Sequence, residues 1–243
     1  DFVAASGDNE LVVFDTETTG LDVFEDDIVQ IAAMKMRNGA VVEGSELSLY
    51  IRTERPVPAM LGDVPNPIIE ELKSRELLEP ADALRRFLDY VGDRPLLGHN
   101  ADYDYNILDN NLRRHCPGTD LRAACPMCLD SLRLIRLLEP ELKVFKLKAL
   151  LAALGLEGQN SHLADDDVFA TCSLVAYCRS KAVPLVEEQR TFMKSDRVVR
   201  RANVFRARYA DIWSGARRHL YDRLPADSQH PALVGEMLDF YGR

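Results

Sequence analysis

No stretch of this chain approaches the roughly 18 consecutive apolar residues that a bilayer-spanning helix requires, so no membrane partner is expected. A signal peptide is not visible, but the chain opens on Asp1 rather than Met, and the missing targeting segment therefore carries little weight. Cysteine is scarce and odd in number, five in 243 residues. That argues against a disulfide framework and for reduced thiols in a cytoplasmic setting. Net positive charge is lacking as well. A formal charge of −9 on its own argues against nucleic acid as a partner. Internal repeats and low-complexity segments are absent.

What is present is ordinary for a globular chain, with 47% hydrophobic and 28% charged residues and enough length for one large domain or a domain with an appendage. The charge is unevenly spread. Residues 184–243 hold eleven Lys/Arg against eight Asp/Glu, about +3, which leaves about −12 for residues 1–183. The expected organisation is an acidic α/β domain over 1–183 and a basic helical extension over 184–243. In that extension, an arginine-rich run from Arg190 to Arg218 carries Phe205, Tyr209 and Trp213 as a helical stripe. The stripe reads as a surface docking onto the body. The arginines are either a solvated face or a track for a nucleic-acid strand.

Leu11 to Phe14 is a short apolar run that predicts a buried strand. It leads directly into Asp15-Thr16-Glu17-Thr18-Thr19-Gly20-Leu21-Asp22. Strand side chains alternate, so Asp15 and Glu17 share one face and Thr16 takes the other. Two adjacent carboxylates at the end of a buried strand repel each other and resist desolvation. A divalent cation between them would favour the arrangement; a charged turn is the plainer alternative.

Asp27 to Arg37 predicts a second strand, Asn38-Gly39 a two-residue hairpin, and Val41 to Ile51 the return strand. Arg55 to Pro67, with four prolines, reads as a surface loop, and Pro67 opens a short helix to about Leu72. A helix over Ala81 to Val91 stops at Gly92. Pro95-Leu96-Leu97 is a brief strand running into Gly98-His99-Asn100-Ala101-Asp102-Tyr103-Asp104, with Asn100 as the candidate N-cap of the next helix. Asp102 and Asp104 lie about 200° apart on that helix, so only one can turn toward a strand end. Cys128 to Asp130 closes another strand, and helices follow over Ser131 to Leu138, Leu147 to Leu154, and from near Leu163 to about Arg179. Before the last of these stands Ser161-His162-Leu163-Ala164-Asp165-Asp166-Asp167. His162 and Asp167 converge only if His162 lies on the loop and Asp167 on the first helical turns, a break that Asn160 and Ser161 can cap. Cys125-Pro126-Met127-Cys128, with His115 and Cys116 upstream, is a weak zinc pattern because no second pair accompanies it. Buried thiols are expected there.

Phe14 to Asp22, then Gly98 to Asp104, then His162 to Asp167 resemble the three motifs of the DEDDh 3′→5′ exonuclease superfamily, in order, spacing and the H-x-A-x-x-D form of the third. That superfamily includes proofreading subunits and domains of bacterial DNA polymerases, ribonuclease T and oligoribonuclease. The resemblance covers roughly residues 9–180. It implies a ribonuclease H-like mixed β-sheet flanked by helices. It implies Asp15, Glu17, Asp104 and Asp167 as ligands of two Mg²⁺ or Mn²⁺ ions, and His162 as general base, a residue type that exchanges a proton near neutral pH. It further implies substrate contacts from Thr18, Leu21, His99 and Asn100. Leu21 is either a buried loop anchor or a platform for the terminal base. The expected activity is release of nucleoside 5′-monophosphates from the 3′ end of nucleic acid, DNA favoured, with a polymerase, helicase or repair complex as the setting. RNA trimming is the alternative within enzymes. A recruitment module of a larger polymerase or helicase chain is disfavoured, because all five catalytic positions are intact.

Overall fold

The computed structural model describes residues 2–159 and 161–193. The side chains of the arginine-rich run and of the Phe205, Tyr209 and Trp213 stripe lie outside the described residues, as does Asn160. Two compact units divide the chain, Asp1–Pro184 and Leu185–Arg243.

In chain order the elements begin with α1 (Phe2–Ala5), β1 (Leu11–Thr18), β2 (Ile28–Arg37), β3 (Ala40–Val41) and β4 (Leu47–Ile51). Next come β5 (Met60–Leu61), β6 (Val64–Pro65), α2 (Ile68–Ser74), β7 (Leu77–Leu78), α3 (Pro80–Val91) and β8 (Leu96–Gly98). The last are α4 (Asp102–His115), α5 (Leu121–Ala124), β9 (Cys128–Asp130), α6 (Ser131–Leu138), α7 (Leu147–Leu154) and α8 (Ala164–Met193).

One mixed sheet runs in the order β7-β4-β2-β1-β8-β9, with β3 also on β2. The meander half is antiparallel, and β8 and β9 join β1 in parallel. This is the mixed sheet with flanking helices that the element order predicts. Its layers follow from alternation along β1. Val12 and Phe14 enter a core with Leu84 and Phe87 of α3 and Ile107 and Leu108 of α4. Leu11 and Val13 enter a second core with Leu150 of α7 and Val168 and Leu174 of α8. The next odd residues, Asp15 and Glu17, therefore face the α8 side.

Several details differ from the sequence reading. The Asn38-Gly39 hairpin forms, with φ of 52° and 81°, as a two-residue turn with both central residues left-handed requires. Its return strand is broken, however. The Ser45 hydroxyl accepts from the Lys35 amide at 3.1 Å, so a side chain replaces a ladder bond and β3 stops at Val41. Asn100 does not cap α4. It takes φ 63°, a left-handed conformation that asparagine tolerates, and Ala101 occupies the cap position. The proline-rich loop contains the small β5–β6 hairpin, and β7 adds a parallel edge to β4. Two-residue strands carry no periodic signal, so neither was legible. Cys125 is buried in the core beside half-buried Cys128, and among the described residues this pair gathers no third metal ligand.

The loop into α8 is seated by Gly158, at φ 124°, where an added Cβ would lie 2.8 Å from the Ala170 Cα. Gly158→Ala combines a forbidden dihedral with a backbone clash, and about 2–3 kcal/mol of stability should be lost in urea unfolding of the intact chain.

Candidate active site

One carboxylate oxygen from each of Asp15, Glu17 and Asp167 lies within 4.8 Å of the other two. Asp15 and Glu17 arrive by the two-residue period of β1, and Asp167 from the first turn of α8. Asp104 approaches from α4, and its Oδ1 accepts from the Thr16 amide at 3.1 Å and the Thr16 hydroxyl at 2.6 Å. Thr16 thus uses the opposite face of β1 to bring the fourth acid to the strand end. Asp102, two residues earlier, is exposed and pairs with Arg133 at 2.6 Å.

The electrostatics match the crowding. Burial, followed by the charges of Asp104, Asp167 and Glu17, holds the Asp15 carboxyl well above the usual carboxylate range. Burial and the charges of Asp167 and Asp104 push Glu17 up to about 8. Asp104 is raised by burial to about 6, with the Thr16 hydrogen bonds pulling the other way. Carboxylates this close and this poorly hydrated need a counter-charge. Hard oxygen donors in a cluster fit Mg²⁺ or Mn²⁺.

Three consecutive aspartates start α8, and 100° per residue gives each a separate direction. Asp165 turns toward β2 and β4, accepting at Oδ2 from Gln30 Nε2 at 2.9 Å and Ser48 Oγ at 3.1 Å. Asp166 accepts from Ser161 Oγ at 2.5 Å. Asp167 joins the β1 acids. His162 is exposed, stands before the helix and has φ 61°. That left-handed residue breaks the chain from the helical path, so His162 stands on the loop and Asp167 on the helix.

The turn after β1 is tightly braced. The Thr18 hydroxyl and the Tyr103 hydroxyl lie 2.8 Å apart, and both reach the Gly20 carbonyl, at 2.7 and 2.6 Å. Asp26 accepts from the Thr19 hydroxyl and the Asp22 amide. A Cβ on Gly20 would come 2.4 Å from Asp26 Oδ2, so a larger residue there would displace the carboxylate that binds Thr19 and Asp22. Arg114 of α4 donates to the carbonyls of Phe24, Glu25 and Asp26. On this braced loop Leu21 is 88% exposed and Phe24 70%. Leu21 is therefore not a buried anchor.

His99 spends both ring nitrogens internally, Nδ1 on Ser131 Oγ at 2.9 Å and Nε2 on the Phe145 carbonyl at 3.1 Å. Burial lowers its pKa. Asn100 is exposed, and its amide donates to Asp130 Oδ1 at 2.9 Å. Thr16, Tyr103 and Gln30 were missed as parts of the site. Only Gln30 left a signal, one polar residue inside the apolar run Ile28 to Ala33.

A model of the exonuclease family matches residues 12–175. The chain belongs to the exonuclease family. The match places it in the DEDD 3′→5′ exonuclease superfamily that the three motifs resemble. Among relatives, the PolC-type DNA polymerase III of Latilactobacillus sakei is 31% identical over 192 residues, 78% of this chain. That of Clostridium perfringens is 30% identical over 176 residues, 72% of this chain. The chain spans 12% of the length of each. Among solved structures, E. coli exonuclease I in complex with a dT13 oligonucleotide superposes with TM-score 0.59 at 22% identity, over 78% of this chain and 45% of that one. This likeness shows the ribonuclease H-like fold.

Because Asp15 and Glu17 hold protons in the folded chain that the unfolded chain has released, metal-free stability should fall as pH rises from about 4 to about 8. Calorimetry in chelator should show that fall. Neutralising one charge by Glu17→Gln should raise the metal-free melting temperature at pH 8 by about 5 °C.

Proposed function

We propose that this chain is a metal-dependent 3′→5′ exonuclease that hydrolyses phosphodiester bonds from the 3′ end of DNA and releases nucleoside 5′-monophosphates. The observation that carries this reading is the convergence of Asp15, Glu17 and Asp167 within 4.8 Å at the end of β1, in a chain of the exonuclease family. Asp104 completes the ligand set, since its bonds to Thr16 engage Oδ1 alone and leave the second oxygen for a cation. Two Mg²⁺ or Mn²⁺ ions held by these four carboxylates would neutralise the scissile phosphate, activate the attacking water and stabilise the departing 3′ oxygen.

The chain's own residues supply the rest. His162, on its exposed left-handed turn, takes the proton of the attacking water on a ring nitrogen. Leu21 presents an apolar platform to the terminal base, and the Thr18, Tyr103 and Gly20 triangle fixes where that platform stands. Asn100 lines the same cleft. His99 acts there by tying Gly98 and its neighbours to α6 through Ser131, which also bonds the Gly98 carbonyl at 3.1 Å. DNA is favoured because the relatives are DNA polymerases and a structural neighbour holds a DNA oligonucleotide. The same relatives support a polymerase setting.

The test is degradation of 3′-labelled and 5′-labelled DNA and RNA, single- and double-stranded, with Mg²⁺, Mn²⁺ or chelator. Mononucleotide release from 3′ ends, lost in chelator, is expected. Asp167→Asn should lower the rate by about 1,000-fold or more while DNA binding persists. Wild-type activity from a clean Asp167→Asn preparation would overturn the reading, and preferential cleavage of RNA would redirect it to RNA trimming.

A further inference from the structure

Gln30, the third residue of β2, is fully buried, a position where an uncharged polar side chain must be satisfied. The sheet register pairs it with Glu17 on one side and Tyr50 on the other. Residues paired across antiparallel strands point to the same face. Gln30 therefore stands beside the catalytic acid Glu17, beneath the start of α8. Its Oε1 accepts from the Ala164 amide, the first of α8, at 3.2 Å. Its Nε2 donates to Asp165 Oδ2 at 2.9 Å and lies 3.2 Å from Ser48 Oγ.

Asp165 Oδ2 also accepts from Ser48 Oγ at 3.1 Å, and the Tyr50 hydroxyl stands 3.3 Å away. That hydroxyl is equally 3.3 Å from Glu71 Oε2, which Arg75 holds at 2.8 Å. Leu163, just before the helix, packs on the cluster of Val29, Tyr50 and Ile68. The start of α8 is thus fastened to β2 and β4 by a carboxylate, an amide and an apolar contact, all within four residues of Asp167.

These bonds do not touch a reacting atom. What they fix is the rotation and height of the first turn of α8, and so the place of Asp167 against Asp15 and Glu17. A helix start has no intrahelical acceptor for its first amides, and the Ala164 amide finds its acceptor in Gln30. The bonds of Gln30 to Ala164 and Asp165 limit rotation of the first turn away from the acids of β1. We propose that Gln30 and Asp165 form a positioning pair that holds Asp167 in the metal-binding cluster against the repulsion of Asp15 and Glu17. This inference rests on the metal-centre reading above.

The pair can be reversed. Gln30→Glu sets a second carboxylate against Asp165, whereas Gln30→Glu with Asp165→Asn restores one carboxylate and one amide in exchanged places. Binding of Mn²⁺ to the metal-free full chain, measured by calorimetry and by electron paramagnetic resonance, reads the site without turnover. Gln30→Glu is expected to weaken Mn²⁺ binding about tenfold at unchanged circular dichroism, and the double variant to return within about threefold of wild type. Unchanged affinity in Gln30→Glu, or a double variant as weak as the single, would overturn the inference. Should Gln30→Glu fail to fold, Ser48→Ala with Tyr50→Phe removes two donors at the rim; about fivefold weaker binding supports the pair and wild-type binding overturns it. Wild-type protein that binds no Mn²⁺, or binds it equally after Asp15→Asn, sinks the metal-centre reading itself. Wild-type binding lost in Asp15→Asn but untouched at Gln30 sinks only this inference.

Discussion

Carboxylates from three elements of the fold meet in a half-buried space at the end of β1, and their mutual repulsion is the constraint around which the neighbourhood is built. Burial and like charge both oppose ionisation there, enough to raise Glu17 to about 8. Left to itself such a cluster would spread apart. Each acid is instead held from behind. Thr16 fastens Asp104 with two hydrogen bonds, and the sheet core fixes Asp15 and Glu17 through Val13 and Phe14. The first turn of α8 is pinned to β2 through Gln30. The scaffold keeps the acids together, which presents a preorganised set of oxygen donors of the kind a divalent cation takes.

Two periodicities distribute the work. Along β1 the period of two sends hydrophobic residues alternately into the two cores, then continues as acid, threonine, acid at the strand end. At the start of α8 the turn of 100° per residue sends Asp165, Asp166 and Asp167 to three different partners. Neither run is redundant. The loop between β1 and β2 adds a third device, since Arg114 and Asp26 bind its backbone while Leu21 and Phe24 stay in solvent. Exposed apolar side chains on a rigid loop lose little entropy when something packs on them.

The exonuclease unit recurs inside longer chains. It accounts for 12% of the polymerase relatives and 45% of E. coli exonuclease I. What the solved neighbour shares is the fold of the sheet and its flanking helices. The negative charge of the whole chain, which by composition argues against a polyanionic partner, includes carboxylates gathered at one strand end, a donor set that suits a divalent cation.

The sequence by itself determined the strand that ends in Asp15 and Glu17, the hairpin at Asn38-Gly39, the helices α6 and α7, the start of α8 (which runs on to Met193, past the expected end near Arg179) and the three acidic motifs. All of these rest on period, turn chemistry or spacing within a few residues. Tertiary structure alone decided the contacts that join distant segments. The Thr16 bond to Asp104 spans 88 positions and the Gln30 bond to Asp165 spans 135. A threonine or a glutamine carries no local mark of the partner that folding brings to it. Leu21 could be read as buried or exposed until the braced loop placed it in solvent, and His99 could be read as a substrate contact until its nitrogens were found on Ser131 and Phe145. Local pattern marks the acidic clusters, because strand and helix geometry are properties of neighbouring residues, and the family resemblance chooses among their members. Only the packing of one element on another decides what holds those acids against their own repulsion.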